Sequence, residues 1–237
     1  MTGAAIGVLA VALGITTILT LSLRTRAVLA ARADFIRNYA WPPGLLDKLS
    51  EKYPQFRRKE SALVSQGLRQ FFMAYLRSGC RYVAMPSQVA DDLWHEFILY
   101  TRDYDAFCKK AFGQFLHHTP AVALAPERRE SNAGLRRVWW QCCKEEGINP
   151  GNPSRLPLLF ALDSKLKIPG GFVYHADCEK LRRNGDASAH CGGDFGSSSV
   201  DGSTSGFGDG EGGSAATSDG GSDSGGGCGG GCGGGGD

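Results

Sequence analysis

The sequence predicts a mainly α protein: an N-terminal transmembrane helix, a small helical domain and a disordered Gly-rich tail. Three observations carry this expectation. The first 23 residues hold no charged side chain. From about residue 35 to 183, apolar residues recur at helical spacing and strand signals are scarce. The last 54 residues are mostly Gly, Ser and Asp, with almost nothing apolar to bury.

The run "AAIGVLAVALGITTILTLSL", residues 4–23, is long enough to cross a bilayer at about 1.5 Å per residue. A secretory signal would have a shorter apolar core behind a basic n-region, so a retained single-pass anchor over residues 1–26 is the expectation. Arg24, Arg26, Arg32 and Arg37 follow it against one acid, Asp34. Positive charge at a helix end stays on the cytoplasmic side, which predicts a cytoplasmic body and C-terminus.

Residues 27–59 read as basic juxtamembrane helices: a helical stretch from Ala27 to Tyr39, then a short helix inside "WPPGLLDKLSEKYP", bracketed by prolines. The helical domain covers residues 60–183. Its clearest element is Glu60 to Arg77, where Val64, Leu68, Phe71, Phe72, Tyr75 and Leu76 form one stripe and Gly79 closes the run. After the extended piece "CRYVAM", Ser87 caps a helix with Val89, Leu93, Phe97, Tyr100, Tyr104 and Phe107 on one side, and Gly113 stops it. A further helix runs from Ser131 to Glu146 and ends at Gly147. "LLFALDSKL" forms a short apolar element, and "KIPGGFVY" turns into a short strand.

Residues 184–237 form the expected disordered tail. All 26 Lys and Arg precede Asn184, whereas the tail carries eight acids and no base. A basic body of about +10 is therefore masked by a tail of −8. The tail either folds back on the body electrostatically or acts as a solubilising spacer.

Common chemistries lack their carriers: there is no GxxxxGK[ST], no GxGxxG after a strand, no HExxH and no GxSxG. Eight cysteines include no CxxC pair, so a zinc ribbon is unsupported, and adjacent Cys142 and Cys143 are poor disulfide partners. A reducing cytoplasm would keep the cysteines as thiols.

The chemistry-bearing stretch is Asp91 to His118, "DDLWHEFILYTRDYDAFCKKAFGQFLHH". At about 100° per residue, His95 points away from the main stripe and lies in line with Asp91. Three readings follow. Asp91 accepts a hydrogen bond from His95 on a partly exposed face; or it orients His95 as a base or metal ligand; or Trp94, Ile98 and His95 form a partner surface. The wider set is His95, Cys108 and His117 or His118; a zinc or iron site would use Asp91 or Asp92 with His95 and His118 in preference to Cys108. In one unbroken helix His95 and Cys108 would be about 20 Å apart. The set converges only if the helix breaks near "YTRDY", where Thr101 or Asp103 could cap a second helix and let "FLHHTP" fold back.

Elsewhere the expectations are structural. Cys108 reads as a small buried thiol, and Trp139-Trp140 as core plus a half-exposed ring. Cys142 and Cys143 point different ways, so at most one can join a site. His175, Asp177 and Cys178 in "YHADC" form a further, weaker ligand cluster.

The run Asp91 or Asp92, Trp94-His95, Tyr104, Phe107-Cys108, Gly113 and Leu116 to His118, followed by "PLLFALD", "IPGGFVYHADC" and a Cys-containing glycine tail, resembles the bacterial branch of the glycine-rich domain-containing protein-like family. The resemblance covers roughly residues 60 to 180. It implies a bacterial protein of no established activity; with the apolar run and the arginines that follow it, the expected setting is the bacterial inner membrane. Plant relatives join this region to glycine-rich sequence, with proposed links to RNA or stress responses. Nucleic acid is not the expected partner, because no RNP-type aromatic motif is present; the anionic inner leaflet is a simpler one for the basic body. The functional expectation is a cytoplasmic interaction or scaffolding domain with a protein partner. The alternative is a metal-binding sensor or metal-dependent enzyme centred on His95 and His118.

Overall fold

The computed structural model describes residues 2–118, 133–176, 190–191 and 195. The expected disordered tail therefore lies outside the described residues, apart from 190, 191 and 195, and so do Asp177 and Cys178. The chain divides into two units, residues 1–39 and 40–237.

The first unit is one helix, α1 (Thr2–Asn38). No Gly or Pro interrupts it after Gly14, so the boundary expected near residue 26 falls inside a continuous helix. Leu13, Ile15, Ile18, Leu19, Leu21 and Leu23 are all exposed. An apolar surface all round is what a hydrocarbon environment accepts. The hydroxyls of Thr16, Thr17, Thr20 and Ser22 donate to carbonyls three or four residues back, which removes their need for water. Residues Ala12–Asn38 are long and apolar enough to span a membrane, by criteria that a signal sequence also meets. Toward the C-terminal end, Arg37 pairs with Asp34 at 3.6 Å.

The second unit is mainly helical: α2 (Leu45–Lys52), α3 (Arg58–Arg77), α4 (Gln88–Leu99), α5 (Thr101–Phe112), α6 (Ala133–Glu145) and α7 (Leu158–Lys165). Tyr174–His175 (β1) and His190–Cys191 (β2) pair in parallel, Tyr174 opposite His190. Helix α3 is central and touches α2, α4, α6 and α7. Its expected stripe is buried throughout, from Val64 and Leu68 to Phe71, Phe72, Tyr75 and Leu76. Close approach to α7 is possible because residue 67 is glycine: a Cβ there would stand 2.4 Å from Leu162 Cδ1.

The helix expected over 87–113 is broken. Ser87 caps α4 as anticipated, its Oγ accepting from Ala90 N at 3.2 Å, but Tyr100 leaves helical geometry with ψ 61° and α5 starts at Thr101. Neither Thr101 nor Asp103 caps α5; Tyr100 occupies the N-cap without a side-chain bond. The cause is tertiary. Phe72 of α3 meets Trp94 and Phe97 of α4 and also Phe107 and Phe112 of α5, with ring centroids 5.0 to 6.5 Å apart. A straight helix would carry the last two rings away from α3, so the turn at Tyr100 is what buries both sets.

Candidate metal centre

Helix α5 ends at Gly113, whose φ of 78° reverses the chain. The returning segment 114–118 is held by its backbone as well as its side chains. Gln114 Nε2 donates to Tyr75 Oη at 2.9 Å, and Tyr104 Oη donates to the Leu116 carbonyl at 2.5 Å. Trp94 Nε1 in turn donates to Tyr104 Oη at 3.1 Å. This chain of bonds runs from α4 through α5 to the strand of sequence that carries His118. Burial raises the Tyr104 hydroxyl pKa far above its ordinary value, so it keeps the proton it donates.

The consequence is the convergence the sequence made conditional. His118 lies against α4, its ring 4.6 Å from Trp94 and 4.3 Å from His95. Its Nε2 stands 3.1 Å from Asp91 Oδ1, and His95 Nε2 is 3.7 Å from Asp91 Oδ2. The Asp91–His95 hydrogen bond, one of the three readings, is replaced: Asp91 bonds His118 through one oxygen and its other oxygen faces His95 beyond hydrogen-bond distance. One ligand atom from each of Asp91, His95 and His118 lies within 4.8 Å of the others. Around a metal ion at about 2.1 Å from each donor, neighbouring ligand atoms are about 3 to 3.5 Å apart. The 3.1 Å between His118 and Asp91 Oδ1 lies in that range and the 3.7 Å between His95 and Asp91 Oδ2 lies above it, so the half-exposed His95 would have to rotate inward to complete the set.

Several other expectations are settled by direction. Asp92 faces away from this site: it is buried, accepts from Tyr53 Oη at 2.5 Å and Gln88 Nε2 at 3.1 Å, and pairs with Lys52 at 2.7 Å. Burial, followed by the bond to Asp92, raises the Tyr53 pKa and keeps its hydroxyl a donor. His117 is exposed and lies tilted against Phe115 at 4.8 Å, so of the pair His118 is the one that meets Asp91 and His95. Trp94 is 4% exposed, so it cannot act as an exposed anchor with Ile98 and His95. Cys108, Cys142 and Cys143 are buried free thiols outside the ligand group, and burial raises all three pKa values, Cys143 to about 12. Trp139 is core and Trp140 half-buried, as expected. Cys80 departs from the all-thiol expectation, because it is disulfide-bonded.

One residue that holds the site is not singled out as part of it by the sequence. Asp163, on α7 and 3% exposed, accepts from Ser87 Oγ (2.7 Å), Gln88 N (2.7 Å), Val89 N (3.2 Å) and Phe172 N (2.9 Å). It anchors the N-terminus of α4, the helix that bears Asp91 and His95, where the helix dipole favours a negative charge. The only available signal was an acid within an apolar run, "LLFALD".

Asp91, His95 and His118 open onto a cavity of about 810 Å³, between α4, the end of α3 and the segments 80–88 and 114–118, with Phe172 at one side. The UCP032817-like family profile matches residues 31–195. The chain belongs to the UCP032817-like family. That match spans all of the second unit's described elements, including every residue of the site. No curated protein and no solved structure matches the chain.

Proposed function

We propose that this UCP032817-like protein is a membrane-anchored metal-binding protein, sensor or enzyme, whose helical body holds one zinc or iron ion at Asp91, His95 and His118. The observation that carries the reading is the fold-back of His118 onto the Asp91–His95 turn at the edge of a cavity. Two imidazoles and one carboxylate on the same side of an ion leave coordination positions open toward that cavity. When bound, such an ion supplies Lewis-acid or redox chemistry. The chain's own contribution is positional: Tyr104 and Trp94 hold the segment bearing His118, and Asp163 holds α4. A purely scaffolding domain, the other expectation, has no need for these three groups to meet.

Metal analysis of the full chain, purified without chelator, tests this directly. Stoichiometric zinc or iron, lost in His95→Ala and His118→Ala, is the expected result. A metal-free wild-type chain would sink the reading.

For its orientation we favour a body on the cytoplasmic side, a reading supported by Arg24, Arg26, Arg32 and Arg37 beyond the apolar run. The disulfide at Cys80 favours the opposite, oxidising side. A reporter fused after Asp237 decides between them: activity in the cytoplasm supports the arginine-based orientation, and activity outside supports the second reading.

A further inference from the structure

The walls of the cavity have a chemistry distinct from that of its metal end. Among the described lining residues there is no lysine, no arginine and no carboxylate besides Asp91. Instead the rings of Tyr75, Tyr82, Trp94, Phe115 and Phe172 surround the space, with Met85. Phe115 and Phe172 are 40% and 44% exposed, so two large apolar rings stand half in water at the edge of a concave site. Both are held in place. Phe115 packs edge-on to Tyr104 at 5.3 Å, and Phe172 is tied through its backbone N–H to buried Asp163. Rings immobilised before binding lose little entropy when a ligand covers them.

Charge decides the rest. A divalent ion beside the single carboxylate of Asp91 leaves about one positive charge at one end of the cavity, and no lysine or arginine stands on the described walls to balance a second anionic group; besides the proposed ligands, the described lining holds only the His117 imidazole, which packs on Phe115. A cation would be repelled by the ion, and a dianion would place one charge against aromatic walls unpaired.

We propose that the cavity binds a small monoanionic amphipath: an oxygen acid whose head ligates the ion at Asp91, His95 and His118, and whose aryl or alkyl body lies against Phe115 and Phe172. This rests on the metal reading above. The probes are 3-phenylpropanoate, propanoate and 3-phenylpropylamine, titrated calorimetrically into the metal-loaded full chain in lipid nanodiscs, with empty nanodiscs as control. Burying a phenyl group is worth enough to make 3-phenylpropanoate bind at least about tenfold tighter than propanoate, and the amine should not bind. Phe172→Ala and, independently, Phe115→Ala should each reduce that preference several-fold without changing metal content. Equal affinities for the two acids, or tight binding of the amine, with the ion present overturn this inference alone. A chain that takes up no ion overturns it together with the metal reading, and metal content measured on the same sample separates the two failures.

Discussion

Asp163 shows how one carboxylate can set the geometry of a site it does not enter. Its two oxygens take four hydrogen bonds, three from backbone N–H groups, at the joint between α7, the start of α4 and Phe172. Asp163→Ala would leave those buried donors unmet, so unfolding free energy should fall by about 2 to 4 kcal/mol, read from a denaturant midpoint. Tyr104→Phe is the complementary test. It removes the hydroxyl that links Trp94 to the Leu116 carbonyl, and metal affinity should drop several-fold while the helical circular dichroism signal is retained. Burial makes a third prediction: Cys108, Cys142 and Cys143 should resist a thiol reagent at neutral pH until the chain is unfolded, because their raised pKa values leave almost no thiolate. At this scale the sequence named Asp91, His95 and His118 but kept Asp92 and His117 beside them as alternatives. Helical phase put Asp91 beside His95, yet Asp91 over Asp92 and His118 over His117 depended on what lies across from each. Tyr53 and Lys52 take Asp92, and Phe115 takes His117.

At the scale of elements, the stops were more legible than the break. Ser87 as a cap and Gly113 as a terminator are local chemistry: a hydroxyl accepting a free N–H, and a residue that tolerates φ of 78°. Gly113→Ala should cost about 1 kcal/mol, seen as a lower melting temperature, and should also weaken metal binding because the segment to His118 departs from that turn. Tyr100 carries a weaker local mark: "YTRDY" offers Thr101 and Asp103 as possible caps, but neither is used and α5 begins without a side-chain cap. Only the demand of Phe72 for rings from both α4 and α5 requires the turn, and that demand comes from a helix some 30 residues earlier in the chain.

Across the whole body, Glu146 joins three helices. It follows α6 and accepts from Gln70 of α3 at 2.9 Å, from the Leu158 N–H that begins α7 at 2.6 Å, and from Arg155. Burial pushes its pKa up, but the bonds from Gln70, Leu158 and Arg155 outweigh this and hold it below the ordinary 4.5. A folded-state pKa below the unfolded one contributes stability above about pH 4.5 and loses it as pH falls through the folded value. Denaturant midpoints should therefore drop between pH 5 and 3, and drop less in Glu146→Gln.

By itself the sequence determined the apolar N-terminal helix, the mainly helical body and the short list Asp91, Asp92, His95, Cys108, His117 and His118. These depend on composition and on the phase of residues along one helix, which are local properties. Tertiary structure alone decided that the helix breaks at Tyr100, that Gly113 and Tyr104 return His118 to Asp91, and that Asp91, His95 and His118 open onto an aromatic cavity. The reason is physical: a ligand set assembled across 27 residues depends on ring packing around Phe72 and on hydrogen bonds between separate elements, and periodicity in a single segment encodes neither.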